Sequence, residues 1–286
     1  MFLTSCHNIF FMRFALICST LDSAGINIRD SLLEKFQYSE SGSFDSHPVL
    51  SLKGIDAKVY TTDKELVYYE GLSQNIDADF FIFMSKHKSI SGIPSLSVHC
   101  TGNWAEAGLG GFPRRLSIAP AAHLKRAMQI LEKLGKDSGY DVVQECTHHG
   151  PFMEKPSMFI EIGSDEEHWK DRKAGAIIAE ALFRILTGSV PECKSAIGLG
   201  GIHTLSSFKK IILNSEYGIS HECPKYMLKN LDAAMLLQAA EQSIPKASAV
   251  ILDWKGLGQE KRHVSEVVRE FLVKLPDVKV LKTKDF

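Results

Sequence analysis

Short apolar segments alternate along the chain with longer stretches in which apolar residues recur every three or four positions. The short segments are typical of buried strands and the longer stretches of amphipathic helices, so the pattern predicts an α/β fold. Strands are predicted at residues 13–19, 58–62, 66–70, 80–84, 96–99, 142–145, 158–162, 196–199, 249–253 and 278–281. Helices are predicted at residues 23–36, 120–134, 165–186, 206–214, 229–242 and 264–275.

The order of these elements sets the predicted architecture. Because most of the strands are separated by a helix, they are expected to form a mixed, mainly parallel sheet with helices on both faces. Residues 58–62 and 66–70 are the exception and are predicted to pair as a hairpin around Asp63 and Lys64. Ser164 is the predicted N-cap of the helix that follows it, since Glu167 completes a capping box.

The sequence predicts one domain that is preceded by a short N-terminal extension. Residues 12–286 contain no linker-like segment and are predicted to form a single α/β domain, whereas residues 1–11 are predicted to be an N-terminal extension before Met12. The first residues lack the positive region and cleavage site of a signal peptide. No apolar segment reaches the ~18 residues that a membrane span needs. We therefore expect a cytoplasmic protein without a membrane partner.

Composition narrows the range of functions. Of the 286 residues, 44% are hydrophobic and 23% are charged, which is ordinary for a globular protein. The formal net charge of -1 argues against a protein that coats DNA or RNA non-specifically, because such proteins are strongly basic. A local basic patch that binds one RNA end is still compatible with it. The six cysteines are scattered without a C-x-x-C pair, which favours reduced thiols.

Polar side chains follow five of the predicted strands. Ligands of open α/β sheets bind beyond the carboxyl ends of the strands. One histidine in such a place usually has a structural role, but five strands that converge in this way predict a polar cleft. The residues expected there are Ser85, Lys86, His87, His99, Thr101, Asn103, Glu145, Thr147, His148, His149, Glu161 and His203.

The adjacent pair His148 and His149 presents a geometrical problem. Neighbouring side chains of an extended segment point to opposite sides. Only one of the two is therefore expected to face the cleft, unless the turn at Gly150 and Pro151 redirects the other. The histidine that faces the cleft is the strongest single candidate for the chemistry.

The residue types in the cleft suit an open catalytic zinc site, which takes imidazole, thiolate and carboxylate ligands. His221 and Cys223 are also of the right type, but a spacing of one intervening residue is not that of a structural zinc finger. The residues alone leave the ligand set open. Its members are to be sought among His87, His99, His148, His149, His203, His221, Cys223, Glu145 and Glu161.

Three further segments are candidates for binding an anionic substrate. Gly200 and Gly201 let a ligand approach the backbone closely, although a tight turn explains them equally well. Arg114 and Arg115 form a compact positive site, although such pairs are more often solvated. Lys255 lies in another polar turn after a strand.

Five motifs occur in order along the chain: SVHCTGNW at 97–104, QECTHHGP at 144–151, FIEIGS at 159–164, IGLGGIHT at 197–204 and DWKG at 253–256. Together they resemble the archaeal and plant-type D-aminoacyl-tRNA deacylases, over nearly the whole chain from Met12. The resemblance implies hydrolysis of the ester between a D-amino acid and the acceptor end of tRNA. It also implies a zinc cofactor and a fold similar to peptidyl-tRNA hydrolases and nucleoside phosphorylases. Thr204 departs from the family pattern, which has an aromatic residue after the histidine.

Ester hydrolysis needs a base that activates water and donors that stabilise the oxyanion. With the resemblance as guide, either His148 or His149 is expected to be the general base or a zinc ligand. The expected catalytic residues are His148, His149, His99, Glu145 and Asn103. The expected zinc ligands are His87, His99, His149, His203 and Glu161. The expected substrate-binding residues are Gly200, Gly201, Arg114, Arg115, Lys86 and Lys255.

Two alternative functions are compatible with the same residues. A nucleoside phosphorylase-like enzyme would use the glycine turn and the arginine pair to bind phosphate. A non-catalytic protein that binds the tRNA acceptor end would need no titrating groups, so the many histidines favour an enzyme.

Overall fold

The computed structural model describes residues 12–286, and the predicted N-terminal extension lies outside this range. The strands of the described chain are β1 (Phe14–Ser19), β2 (Tyr38–Phe44), β3 (His47–Leu52), β4 (Ala57–Thr62), β5 (Phe80–Lys88), β6 (Ser95–His99), β7 (Gly102–Asn103), β8 (Arg115–Leu116), β9 (Ala119–Pro120), β10 (Asp141–Gln144), β11 (Ser157–Ser164), β12 (Lys194–Leu199), β13 (Tyr217–Cys223), β14 (Ser243–Ile244), β15 (Ala247–Leu252) and β16 (Lys279–Lys282). The α-helices are α1 (Ser23–Leu33), α2 (Leu72–Asn75), α3 (Ala121–Leu134), α4 (Glu166–Trp169), α5 (Arg172–Thr187), α6 (Lys209–Asn214), α7 (Ala233–Glu241) and α8 (Lys261–Lys274). Among these helices, none combines the length and apolar character needed to cross a membrane.

The longer strands are divided between two sheets. The first has the order β10-β6-β11-β5-β1-β4-β3-β2 and the second the order β13-β12-β15-β16. All pairs in the second sheet are parallel. In the first sheet the pairs β10–β6, β11–β5, β5–β1 and β1–β4 are parallel, and the other three are antiparallel. β16 is an edge strand of the second sheet.

Helix α3 lies between the two sheets. It contacts β6 and β10 of the first sheet and β12 and β13 of the second. Helices α1 and α5 continue this layer over the first sheet, while α7 and α8 pack on the opposite face of the second. One cluster of buried side chains therefore extends from Leu16 in the first sheet to Ile251 in the second. The prediction of a mixed α/β fold with helices packed on the sheets is confirmed.

The predicted hairpin of residues 58–62 and 66–70 is wrong. Leu66–Tyr68 forms a 3₁₀ turn, because both edges of β4 are already paired, one with β1 and the other with β3. Strand β2, the hairpin partner of β3, was not predicted, since it is polar and exposed along almost its whole length. Strand β13 was missed for a different reason: glycine, histidine and glutamate interrupt the apolar pattern of a strand that is buried throughout.

The predicted helix at 165–186 is in fact two helices. The carboxylate of Asp165 accepts hydrogen bonds from the first turn of α4, and that of Asp171 does the same for α5. The N-cap is therefore Asp165 and not Ser164, which is the last residue of β11. A second aspartate cap six residues later begins a new helix with its own axis.

The predicted edge at which all strand ends meet also needs correction. β11 runs parallel to β5, with Glu161 beside Ser85, but antiparallel to β6, with Phe159 beside His99. The carboxyl ends of β6 and β10 therefore point against the direction of β5 and β11. The polar residues at the carboxyl ends of β6 and β10 therefore lie beside the middle of β11. The cleft forms at this position within the first sheet and not along one edge of it.

Candidate active site

Two histidines reach the cleft from strands on either side of β11. His87 lies near the end of β5, and His99 is the last residue of β6. The ring of His99 is fully buried and stacks on Phe159, with the ring centroids 5.1 Å apart. Glu161 of β11 lies between them, with its Oε2 atom 3.8 Å from His87 Nδ1 and 3.6 Å from His99 Nε2.

Both members of the pair His148 and His149 face the cleft, so the expectation that only one would do so is wrong. Their ring centroids are 4.3 Å apart, and they lie 4.4 Å and 4.8 Å from the ring of His99. His149 has a φ of 44°, in the left-handed region. The alternation of an extended strand does not apply there, and this backbone turn brings the second ring to the same side as the first.

The three clustered imidazoles of His99, His148 and His149 share one hydrogen-bond pattern. Each Nδ1 atom lies 2.6–3.2 Å from a backbone carbonyl oxygen. A carbonyl oxygen only accepts, so each Nδ1 carries the proton and each Nε2 has a free lone pair. One nitrogen from each ring lies within 4.8 Å of the others. Metal-binding histidines commonly have their second nitrogen anchored in this way.

Glu145 connects two other histidines. Its Oε2 atom accepts hydrogen bonds from His87 Nδ1 at 3.0 Å and from His203 Nε2 at 2.9 Å. Burial alone would raise the pKa of Glu145, but the donors on His203 and His87 hold it well below its usual range. Burial would likewise lower the pKa of His87, yet the bond to Glu145 raises it. Glu145 is therefore an ionised carboxylate that fixes two imidazoles.

Glu161 has the opposite protonation state. Burial and the nearby charge of Glu145 raise the pKa of Glu161 well above its usual range. Two carboxyl groups so close together are not both ionised. The site thus combines one charged and one neutral carboxyl group.

Burial also keeps the three clustered histidines neutral. It lowers the pKa of His99 to about 4 and that of His149 to about 3, with neighbouring imidazoles adding to the effect for His149. The pKa of His148 is well below its usual range for the same reasons. Neutral imidazole is the form that binds a metal ion.

Two buried atoms in the cluster have no hydrogen-bond partner within residues 12–286: His99 Nε2 and Glu145 Oε1. In addition, the Nε2 lone pair of His148 faces the Glu145 carboxylate at 3.7 Å with no proton between them. Unsatisfied buried acceptors are costly, at roughly 1–3 kcal/mol each. A cation among these atoms would satisfy them all, so the residues fit a metal ion.

The cluster opens into a cavity of about 470 Å³. Its lining combines apolar residues, Leu21, Leu66, Val67 and Leu109, with polar ones, among them the histidines and Lys86. A volume of this size lies within the range of small-molecule sites. The sequence-predicted residues that line it are Ser85, Lys86, His87, His148, His149, Glu161 and His203.

Other predicted site residues have structural partners. The amide of Asn103 donates to the carbonyl oxygens of Gly110 and Phe112, so it holds the glycine-rich loop. Arg114 forms an ion pair with Asp232 at 2.6 Å.

The remaining predicted residues lie outside the cavity lining. The Arg115 guanidinium lies over the ring of Phe152. Gly200 and Gly201 have φ values of 98° and 87°, which only glycine adopts readily, and they form a turn against Asp253. Lys255 is exposed. His221 and Cys223 belong to none of the possible metal-binding groups of the described chain.

Three residues near the site were not predicted. Asp22 caps α1 and accepts from the backbone of Lys86, which holds β5 at the cavity wall. Glu70 accepts from Gly111 and Phe152 and so joins two loops beside His149. Tyr226 places its hydroxyl 3.3 Å from His203 Nδ1 and 3.4 Å from Cys146 Sγ. Only Asp22 had a sequence signal, as a helix cap directly after the first strand.

Comparison with known proteins gives a consistent result. A family model described as D-aminoacyl-tRNA deacylase matches residues 74–275. The D-aminoacyl-tRNA deacylase of Pyrococcus furiosus is 36% identical over 259 residues, which cover 88% of this chain and 94% of that protein. The protein of the same name from Thermococcus kodakarensis is 36% identical over 261 residues, with the same coverage. The crystal structure of a conserved protein of unknown function has a TM-score of 0.88 at 30% identity, over 96% of both chains.

Proposed function

The chain belongs to the D-aminoacyl-tRNA deacylase family, and we propose that its histidine–glutamate cluster is where the ester bond is cleaved. The enzyme hydrolyses D-aminoacyl-tRNA to free D-amino acid and tRNA. The observation that carries the assignment of the site is the pair of hydrogen bonds from His87 and His203 to Glu145, which hold both imidazoles at the wall of a cavity large enough for an aminoacyl group. The nucleoside phosphorylase alternative is not favoured, because the relatives that match are deacylases.

His87 is the proposed general base. Its Nδ1 proton is bound by Glu145, which leaves the lone pair of Nε2 for the cavity that His87 lines. Carboxylate–imidazole pairs of this kind orient the base and stabilise the imidazolium that forms. In the reaction, a water oxygen bonds to the ester carbonyl carbon while its proton moves to His87 Nε2. The bond to the ribose oxygen then breaks, and that oxygen receives the proton.

His203 is proposed to position the substrate at the mouth of the cavity. Its side chain is 37% exposed, whereas Glu145 beneath it is fully buried. Nε2 donates to Glu145, and Nδ1 lies beside the Tyr226 hydroxyl and the Cys146 thiol. Both ring nitrogens of His203 are therefore held by neighbouring groups. The ring is fixed in position, and the ester can bind against it.

We further propose that His99, His148 and His149 hold a zinc ion. The Nε2 lone pairs of these three neutral imidazoles converge. A positive charge would also satisfy the buried acceptors His99 Nε2 and Glu145 Oε1, which have no hydrogen-bond partner within residues 12–286. A bound zinc ion would polarise the ester carbonyl or acidify a bound water. Compared with the zinc ligands predicted from the sequence, this set adds His148 and leaves out His87, His203 and Glu161. His87 and His203 are hydrogen-bonded to Glu145 instead. Three protein ligands with an open fourth position are typical of catalytic zinc.

The substrate also suggests where the enzyme works. Aminoacyl-tRNA is produced and consumed during translation, so we propose the cytoplasm as its location.

The assignment of the site is tested with D-Tyr-tRNA and L-Tyr-tRNA, by measurement of the free tyrosine released. The wild-type enzyme is expected to release D-tyrosine. H149A is expected to abolish this release without a change in the circular dichroism spectrum, because it removes one of the three converging imidazoles. H168A is the matched control, since His168 lies on α4 and pairs with Asp165. Turnover by H149A at the wild-type rate would exclude this site.

The zinc proposal has its own test, elemental analysis of the purified enzyme. We expect zinc at one ion per chain in the wild type and in H168A, and its loss in H149A and H99A. An enzyme that is free of zinc after chelation and still fully active would contradict the proposal.

A further inference from the structure

We propose that the surface around Tyr226, Lys225 and Lys229 binds the single-stranded acceptor end of the tRNA as it leaves the aminoacyl cavity. This proposal rests on the proposed function of the cluster. The cavity of about 470 Å³ suits an aminoacyl group and a ribose, so the nucleotides that precede the ester must lie outside it.

A second cavity adjoins the first. It measures about 770 Å³ and shares His203 as a wall with the aminoacyl cavity. The lining residues that bear on RNA binding are Lys225, Tyr226, Lys229 and Glu260. An ester held beside His203 would therefore have its RNA directly at the opening of this second cavity.

The second cavity has the chemistry of a single-strand RNA site. Such sites combine cations that follow the phosphates with aromatic rings on which bases stack. Lys225 and Lys229 are exposed, and neither amine has an ion-pair partner within the described chain. The one carboxylate in the lining is Glu260, so the two lysines leave the surface with a net positive charge.

Tyr226 is held in place for stacking. Half of the residue is exposed, at 51%, yet its hydroxyl is bound to His203 Nδ1 and Cys146 Sγ beneath the surface. An aromatic side chain whose hydroxyl is already held by two neighbours, the half-exposed His203 and the buried Cys146, loses little conformational freedom when a base stacks on it. The same hydroxyl links this surface to the wall of the catalytic cavity. A nucleotide on Tyr226 would therefore place its neighbour beside His203.

The test compares two substrates, D-Tyr-tRNA and the D-tyrosyl ester of adenosine. For the tRNA, we expect the double variant K225Q/K229Q to raise KM roughly 10-fold, with kcat unchanged, and to reduce the salt dependence of log KM by about one unit per lysine. For the adenosine ester, which does not extend to the lysines, kcat/KM should be unchanged. Y226L should raise KM for tRNA, and Y226F, which keeps the ring but loses the hydroxyl that holds it, should raise KM less than Y226L.

K133Q/K136Q is the matched control, because it removes two exposed lysine charges near the start of β10, at the end of that strand opposite to Glu145. An unchanged KM and an unchanged salt dependence in K225Q/K229Q would overturn the proposal. So would a rise in KM that occurred only in K88Q, because Lys88 lines the aminoacyl cavity. Either result leaves the proposed function intact. If the wild-type enzyme hydrolysed neither substrate, the proposed function itself would fail.

Discussion

Two glutamates, Glu145 and Glu222, have almost the same burial, but their pKa values are shifted in opposite directions. Glu145 directly follows β10, Glu222 is the second-last residue of β13, and each is 1% exposed. Glu145 accepts hydrogen bonds from two imidazoles, and its pKa lies well below the usual range. Neither carboxyl oxygen of Glu222 has a partner within residues 12–286, and burial, with the charge of Asp253, raises its pKa well above that range.

The comparison shows that hydrogen-bond donors, not depth, determine what a buried glutamate can do. Glu145 is an anion that orients His87 and His203. Glu222 has a raised pKa and packs against β12, where its Cγ atom would lie only 3.0 Å from a Cβ placed on Gly198. The first glutamate belongs to the proposed reaction site, and the second packs against the second sheet.

The largest effect is expected from the imidazole that Glu145 orients. H87Q keeps an amide that can donate to Glu145 but removes the base at Nε2, so kcat should fall by roughly 10²–10⁴-fold while KM stays the same. Steady-state deacylation of D-Tyr-tRNA measures both constants. H168Q serves as the control. A loss confined to KM would mean that His87 binds substrate and is not the base.

An intermediate effect is expected from Glu222, on stability and not on activity. Because its folded pKa is raised, its neutral form stabilises the fold below the unfolded pKa of about 4.5, and this contribution is lost as the pH rises through the folded pKa. E222Q has no such loss, so its stability relative to the wild type should increase with pH above that value, by at most about 1.4 kcal/mol per pH unit. Urea unfolding of both proteins between pH 5 and pH 7 gives the difference. A difference that does not change with pH would show that Glu222 is ionised in the folded protein.

The smallest effect is expected from the loss of the Tyr226 hydroxyl. The Tyr226 hydroxyl lies beside His203, which lines the aminoacyl cavity, and Y226F removes only that hydroxyl. One hydrogen bond of about 0.5–1.5 kcal/mol corresponds to a roughly two- to ten-fold lower kcat. The measurement is kcat on the adenosine ester, which excludes any contribution from RNA binding. A loss as large as that of H87Q would give the tyrosine a direct role in the reaction.

The sequence predicted much of this arrangement. Apolar segments that end in polar residues predicted both the strands and their clustering near one cleft. These strands carry His87, His99, Glu145 and Glu161. The pairing of Glu145 with two histidines did not follow, because β6 and β10 run against β11 and bring together residues that strand order alone keeps apart.

Other features depend on single backbone angles or on unpredicted strands. The left-handed backbone at His149 decides that both adjacent rings face the cleft, and no propensity for histidine predicts it. The environment of Glu222 was hidden because β13 lacks a continuous apolar pattern. Partners that come from distant loops, such as Glu70 and Tyr226, leave no local signal in the sequence.

The most direct test of the central claim is the single-turnover rate of D-Tyr-tRNA deacylation by E145Q and E222Q. The two variants make the same chemical change at the same depth. E145Q should be slower than the wild type by roughly 10²-fold or more, because the carboxylate that orients His87 is lost, and E222Q should retain the wild-type rate. Equal rates for the two variants, or a wild-type rate for E145Q, would contradict the assignment of the reaction to this cluster.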